Sequence, residues 1–110
     1  MNAIKIPDEI PAEKVTGHQG FLARSLFASS DKKTTLRLLD VEPGATGPVP
    51  AHRHPDSHFF MVLAGTLEAN LDGRTLTVPA GSCLEIAPNV LHQLRGAGQG
   101  PLKVLALKCE

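Results

Sequence analysis

The chain has no tryptophan and no tyrosine, and four phenylalanines supply all of its large aromatic surface. Stacking platforms for nucleotide bases or sugar rings are therefore scarce. Neither sign of charge is in excess, because eleven lysines and arginines balance eleven aspartates and glutamates. Without a net field to attract a phosphate backbone or an anionic lipid surface, neither nucleic acid nor a membrane is an expected partner. No apolar run approaches the length of a bilayer span, and the opening Met1-Asn2-Ala3-Ile4-Lys5 lacks the apolar core of a secretory signal. A cytoplasmic location is the expectation. Cys83 and Cys109 are too few and too far apart for a disulfide framework, and both read as reduced core residues.

Long intervals free of helix breakers are scarce too, residues 21–42 being the exception. Nine prolines and ten glycines punctuate the rest so often that it supports no long helix. Between them lie short runs rich in apolar and β-branched residues, which read as strands over 21–27, 34–41, 51–54, 58–63, 66–71, 74–78, 83–86, 90–95 and 102–109. The connections carry turn chemistry: Ala64-Gly65, Asp72-Gly73, Pro79-Ala80-Gly81, Pro88-Asn89 and Gly96 to Pro101. Asp72-Gly73 is the strongest hairpin signal, since a type I′ turn needs positive φ at both central positions. Regularly spaced short strands indicate an all-β sandwich or barrel. At 110 residues the chain is long enough for one self-sufficient core. Residues 1–20, with Pro7, Pro11, Gly17 and Gly20, read as an arm crossing the surface or a neighbouring subunit, and 21–110 as the single domain.

Histidine is the informative residue type. Of five histidines, His52, His54 and His58 fall within seven residues, and His92 stands farther on in a second strand-like run. A His-x-His pair on an extended segment presents both imidazoles on one face, where they can bind a transition metal, although such a pair also occurs on solvated loops. Pro55-Asp56-Ser57 is a turn-forming insertion that can swing His58 toward the same point. His58 opens the run Phe59 to Leu63, which would set its ring on a rigid strand. His18 stands alone in the arm and is left outside the site.

These residues resemble the cupins, specifically small single-domain RmlC-like members. The family's first motif is a glycine, five residues, His-x-His, three or four residues, a glutamate, six residues and a glycine. Here His52-Arg53-His54 is followed after three residues by His58 and after six more by Gly65. The second motif is a glycine, five residues, Pro-x-Gly, two residues, a histidine, three residues and an asparagine. Here Gly81 is followed after five residues by Ala87-Pro88-Asn89, after two by His92 and after three by Gly96. Gly47 lies one residue nearer the first histidine than the pattern has it. Asn89, in the turn glycine's position, is the residue that best replaces glycine at left-handed φ. The main departure is His58 in the glutamate position.

The resemblance implies a double-stranded β-helix, or jelly-roll barrel, with a metal inside held by His52, His54, His58 and His92. Small four-histidine cupins bind manganese, iron, nickel, copper or zinc. Replacing a carboxylate by a neutral imidazole leaves such a site about one unit more positive, strengthening Lewis acidity and attraction for an anionic ligand.

Strand parity sketches the surrounding pocket. If His58 and His92 face inward, so do Phe60, Val62, Val90 and Leu94. On the last strand Leu102, Val104, Ala106 and Lys108 are preferred as the inner set, because small residues there leave room for a ligand. The strand over 34–41 is ambiguous: Arg37 reads either as a clamp for a carboxylate beside the metal or as a solvated or dimer-face residue. The expected substrate-binding residues are Phe60, Val62, Leu94, Val104, Ala106 and Arg37. Glu68 and Glu85 are expected on outer faces, leaving no evident side-chain general base.

Three functions fit this site. One is a metal-dependent, dioxygenase-like oxidative enzyme acting on a small, partly apolar molecule. A second is an isomerase, lyase or cyclase using the ion as a Lewis acid. The third is a non-enzymatic small-ligand module with a structural metal, because fold alone does not fix function. The runs Leu36 to Leu39 and Leu102 to Leu107 carry more apolar residues than one interior requires, so a homodimer is expected.

Overall fold

The structure is a computed structural model that describes residues 3–110. Its strands are β1 (Glu13–Lys14), β2 (Phe21–Ala28), β3 (Thr34–Val41), β4 (Thr46–His52), β5 (Ser57–Ala64), β6 (Thr66–Leu71), β7 (Arg74–Pro79), β8 (Cys83–Ile86), β9 (His92–Ala97) and β10 (Leu102–Cys109). They form a six-stranded sheet, ordered β1-β2-β3-β10-β5-β8, and a four-stranded sheet, ordered β4-β9-β6-β7. All neighbours pair antiparallel. Among the described residues the one helical piece is a 3-10 turn, Pro7–Glu9.

The turn chemistry acts as the sequence predicts. Asp72 and Gly73 take φ of 50° and 83°, the paired positive values that join β6 to β7 as a tight hairpin. Asn89 adopts φ 65° in the turn before β9. Gly65 is required twice over, because its φ is +81° and an added Cβ would lie 2.5 Å from the Pro101 carbonyl oxygen.

The main departures from the expected strands are these. Strand β4 begins at Thr46 rather than Ala51 and contains Pro48 and Pro50. It lies at a sheet edge, where a missing N–H leaves no gap in a central ladder. Strand β9 begins at His92 rather than Val90, because the Leu91 amide donates to the Asp72 carboxylate at 3.1 Å instead of joining a ladder. The arm contributes a two-residue strand, with Glu13 and Lys14 opposite Ala23 and Leu22. Two residues carry too little periodicity to be read from sequence.

One core fills the space between the sheets. Phe21, Ala23, Leu39, Val41, Phe60, Val62, Leu84, Ile86, Leu102, Val104 and Ala106 come from the six-stranded sheet, and Leu67, Ala69, Val78 and Leu94 from the other. The preferred inner set of β10 is therefore the buried one. On β3 the ambiguity resolves with Leu39 and Val41 inward. Cys83 is exposed and Cys109 partly exposed, contrary to the core reading. Leu84 and Ile86 hold the inward positions of β8, so Cys83 must point outward.

Candidate metal centre

Four separate pieces of backbone deliver the four histidines to one end of the barrel. His52 closes β4 and lies opposite His92, the first residue of β9, after a ladder irregularity between Gly47 and His52. His54 lies past the end of β4, where its carbonyl accepts from the Asn89 amide at 2.8 Å, tying the histidine loop to the Pro88-Asn89 turn. His58, second in β5, lies opposite Lys108 of β10 and Ile86 of β8. The His52 ring centroid is 4.8 Å from that of His54 and 4.5 Å from that of His92. The His54 centroid is 4.4 Å from His58 and 5.0 Å from His92, and His58 lies 5.5 Å from His92.

The nitrogens are consistent with metal binding. His92 Nδ1 lies 3.0 Å from the Val90 carbonyl, and a carbonyl only accepts, so Nδ1 carries the proton and the Nε2 lone pair points into the cluster. That Nε2 lies 2.9 Å from His52 Nε2. His54 Nδ1 and His58 Nε2 are buried without any hydrogen-bond partner. Leaving such atoms unmatched costs about 1–3 kcal/mol each, whereas a metal ion satisfies them together. The donor set thus fits a divalent transition metal.

Electrostatics keep lone pairs available. Burial, followed by the neighbouring imidazoles, lowers the His52 pKa to about 4. Burial lowers that of His58 to about 3, with His54, His92 and the Lys108 ammonium adding to the effect. His92 is also lowered, chiefly by burial and against the opposing hydrogen bond to Val90. At neutral pH these three rings are uncharged, the form that ligates.

By geometry the potential ligands form two overlapping groups, His52-His54-His92 and His54-Asp56-His58, with ligand atoms in each within 4.8 Å of one another. Sequence reasoning missed Asp56, which it treated only as part of a turn. Asp56 is 9% exposed, and its carboxylate lies 3.7 Å from His54 Nδ1 and 3.8 Å from Lys108 Nζ. It offers the buried carboxylate that the motif comparison placed at position 58, two residues earlier in the chain.

The cluster opens into a cavity of about 350 Å³. Phe60, Leu94, Ala106 and Arg37 line it together with Leu39 and Phe21. Val62 and Val104, expected there as well, do not: they lie opposite one another one inward position deeper, 0% and 2% exposed, where the sheets close. Parity fixed their face correctly but says nothing of depth along the barrel. His18, set aside in the sequence, also lines the cavity, because the arm folds back across it with Lys14, Val15 and Thr16. Its ring packs edge-on against Phe21 at 4.7 Å and against Gly47, where a Cβ would lie 2.2 Å from His18 Cδ2. Glu68 pairs with Arg95 at 3.2 Å and Glu85 is exposed, so neither belongs to the site.

Residues 37–108 match the Cupin_2 family, described as a cupin domain. Over 79 residues the chain is 30% identical to mannose-1-phosphate guanylyltransferase RfbM of Salmonella typhimurium, an alignment covering 72% of this chain and 16% of that enzyme. The chain thus corresponds to under one-fifth of that relative's length. Among solved structures, an RmlC-like cupin from Shewanella frigidimarina superposes with a TM-score of 0.81 at 18% identity, over 99% of this chain and 91% of that one. The polyketide cyclase RemF from Streptomyces resistomycificus superposes with a TM-score of 0.82 at 23% identity, over 100% of this chain and 81% of that one. At these identities the likeness is one of fold.

Proposed function

The chain belongs to the cupin domain family, and from that premise we propose that it is a metal-dependent, dioxygenase-like oxidative enzyme acting on a small, partly apolar molecule held in the cavity. The observation that carries this reading is the pair of buried, unpartnered nitrogens, His54 Nδ1 and His58 Nε2, beside the facing Nε2 atoms of His52 and His92. We assign these four histidines as the ligands of a manganese, iron, nickel, copper or zinc ion. A bound redox-active ion would supply the electron-transfer chemistry that oxygen activation needs and that protein side chains lack.

The chain's own residues prepare the site for that ion and a substrate. The Val90 carbonyl holds the proton on His92 Nδ1 and so orients the opposite lone pair. Phe60, Leu94, Leu39 and Ala106 provide an apolar wall that excludes water from one side of a bound molecule. Lys108 pairs with the carboxylate of Asp56 at 3.8 Å and lies opposite His58 in the β5–β10 ladder. The two cysteines are unpaired, which supports a reducing, cytoplasmic setting.

A second reading is favoured by Asp56. A buried carboxylate at the edge of the imidazole cluster can accept a proton from a substrate carbon or hydroxyl, which suits an isomerase, lyase or cyclase using the ion as a Lewis acid. Similarity of fold to a polyketide cyclase accords with it.

We also propose a homodimer through the outer face of the six-stranded sheet. Leu36, Leu107 and Phe59 form one cross-strand row on that face, and Leu38, Leu105 and Met61 form the next. Two copies can bury these rows against each other.

Elemental analysis of untagged protein, before and after reconstitution, tests the central reading. Stoichiometric transition metal is expected, with loss of affinity in His58→Ala. Absence of stoichiometric metal after reconstitution overturns it, and full affinity in His58→Ala removes His58 from the ligand set. Oxygen consumption across a substrate panel then separates the oxidative reading from the Lewis-acid one.

A further inference from the structure

Inside the cavity three cations, Lys14, Arg37 and Lys108, face a single carboxylate, Asp56. Lys108 and Asp56 lie 3.8 Å apart, which leaves Arg37 and Lys14 uncompensated. Lys14 is solvent-exposed, and water can carry its charge. Arg37 is partly buried and makes no hydrogen bond or ion pair among the described residues. Arg24, the other partly buried arginine, donates to Asp40 at 2.6 Å and to the Ile10 carbonyl at 3.2 Å. The fold therefore provides acceptors for one such guanidinium and withholds them from the other. A partly desolvated guanidinium with unused donors is matched best by a planar oxyanion, which accepts two parallel hydrogen bonds.

The surroundings narrow the ligand further. Arg37 lies opposite Ala106, whose methyl group leaves space, and Ala106 lies opposite Phe60. Leu39, two residues farther along β3, is buried in the apolar core. The positive side chain is thus set above an apolar floor, a pairing that suits an anionic head on a hydrocarbon body. His18 is close by, with its pKa lowered chiefly by burial and further by Arg37, so it adds no competing charge at neutral pH.

We propose that the cavity binds a small organic carboxylate, with the carboxylate paired to Arg37 and the hydrocarbon portion lying over Phe60, Ala106 and Leu94. This deepens the proposed function by naming a substrate class, and rests on the cavity being that function's ligand site. It does not depend on which metal is present, because Arg37 belongs to neither candidate ligand group.

The test is isothermal titration of untagged protein, metal-free and zinc-loaded, with a panel of small aliphatic and aromatic monocarboxylates, each paired with its primary amide. In both forms at least one carboxylate is expected to bind, and its amide about 10- to 100-fold more weakly. Arg37→Met should weaken that carboxylate by a similar factor while leaving zinc stoichiometry and the thermal midpoint unchanged, and Arg37→Lys should recover part of the loss. Amides that bind as well as carboxylates, or carboxylate affinity unchanged in Arg37→Met, overturn the proposal. Inorganic phosphate is the control: if it binds through Arg37 more tightly than every carboxylate, the assignment to an organic carboxylate is overturned. Failure of zinc to bind counts against the metal reading alone, because the metal-free titration still measures the role of Arg37.

Discussion

Two ends of the same strands make opposite use of one inward-facing pattern. At the closed end, Val62, Leu67, Val78, Leu102 and Val104 meet between the sheets, none more than 6% exposed. At the open end, the same faces of β5 and β10 present His58 and Lys108, and β4 and β9 add His52 and His92. Burying each closed-end leucine or valine contributes about 1.5–3 kcal/mol. The open end instead places buried nitrogens without partners, which costs stability until a ligand arrives. The barrel is thus held together at one end and left chemically unsatisfied at the other, four residues away along a strand.

Substitution at each end should expose this division. The largest effect on stability is expected at the closed end: Leu67→Ala should lower unfolding free energy by about 2–5 kcal/mol, measured by urea denaturation. Folded Leu67→Ala protein should retain the wild-type metal stoichiometry, and loss of metal in that folded fraction would contradict the separation. At the open end, His92→Ala should weaken metal binding by at least about 10- to 100-fold in competition with a chromophoric chelator. The change in metal-free stability should be smaller than that of Leu67→Ala.

Acid should sharpen the contrast. His52 and His58 have folded pKa values of about 4 and about 3, whereas in the unfolded chain each titrates near 6.5. Between those values the unfolded chain binds more protons than the folded protein, so metal-free stability should be fully present above pH ~6.5 and fall as the pH drops toward ~3. Thermal midpoints between pH 7 and 4.5 should decline, and decline less steeply in His52→Gln/His58→Gln. Equal slopes would remove these rings as the cause. The smallest effect on the fold is expected outside the barrel, where Met61 is 37% exposed on the proposed dimer face. Met61→Glu should convert a dimer to a monomer by size-exclusion chromatography with light scattering, while changing protomer stability by no more than about 0.5 kcal/mol. A wild-type protein that is monomeric at micromolar concentration would sink the dimer.

Much of the barrel was legible because its signals are local. Asp72-Gly73 had to turn, alternation placed Phe60 and Leu94 inward, and a small Ala106 marked the cavity side of β10. The same locality explains the misses. His18 and Asp56 carry no periodic signature, and each reaches the cavity through a non-repetitive segment: the arm for one and the histidine loop for the other. Val62 and Val104 show the converse error, since alternation assigns a face but cannot say whether a position borders an empty space or a packed neighbour.

The sequence by itself determined an all-β cupin barrel and the grouping of four histidines, because turn chemistry, alternation and motif spacing are properties of adjacent residues. Only the tertiary structure decided which nitrogens lack partners, that Asp56 and His18 join the site, and that Arg37 is left without an acceptor. Those are properties of burial and of distances between strands remote in the chain. Whether a charge is compensated depends on everything packed around it, and no stretch of sequence contains that information.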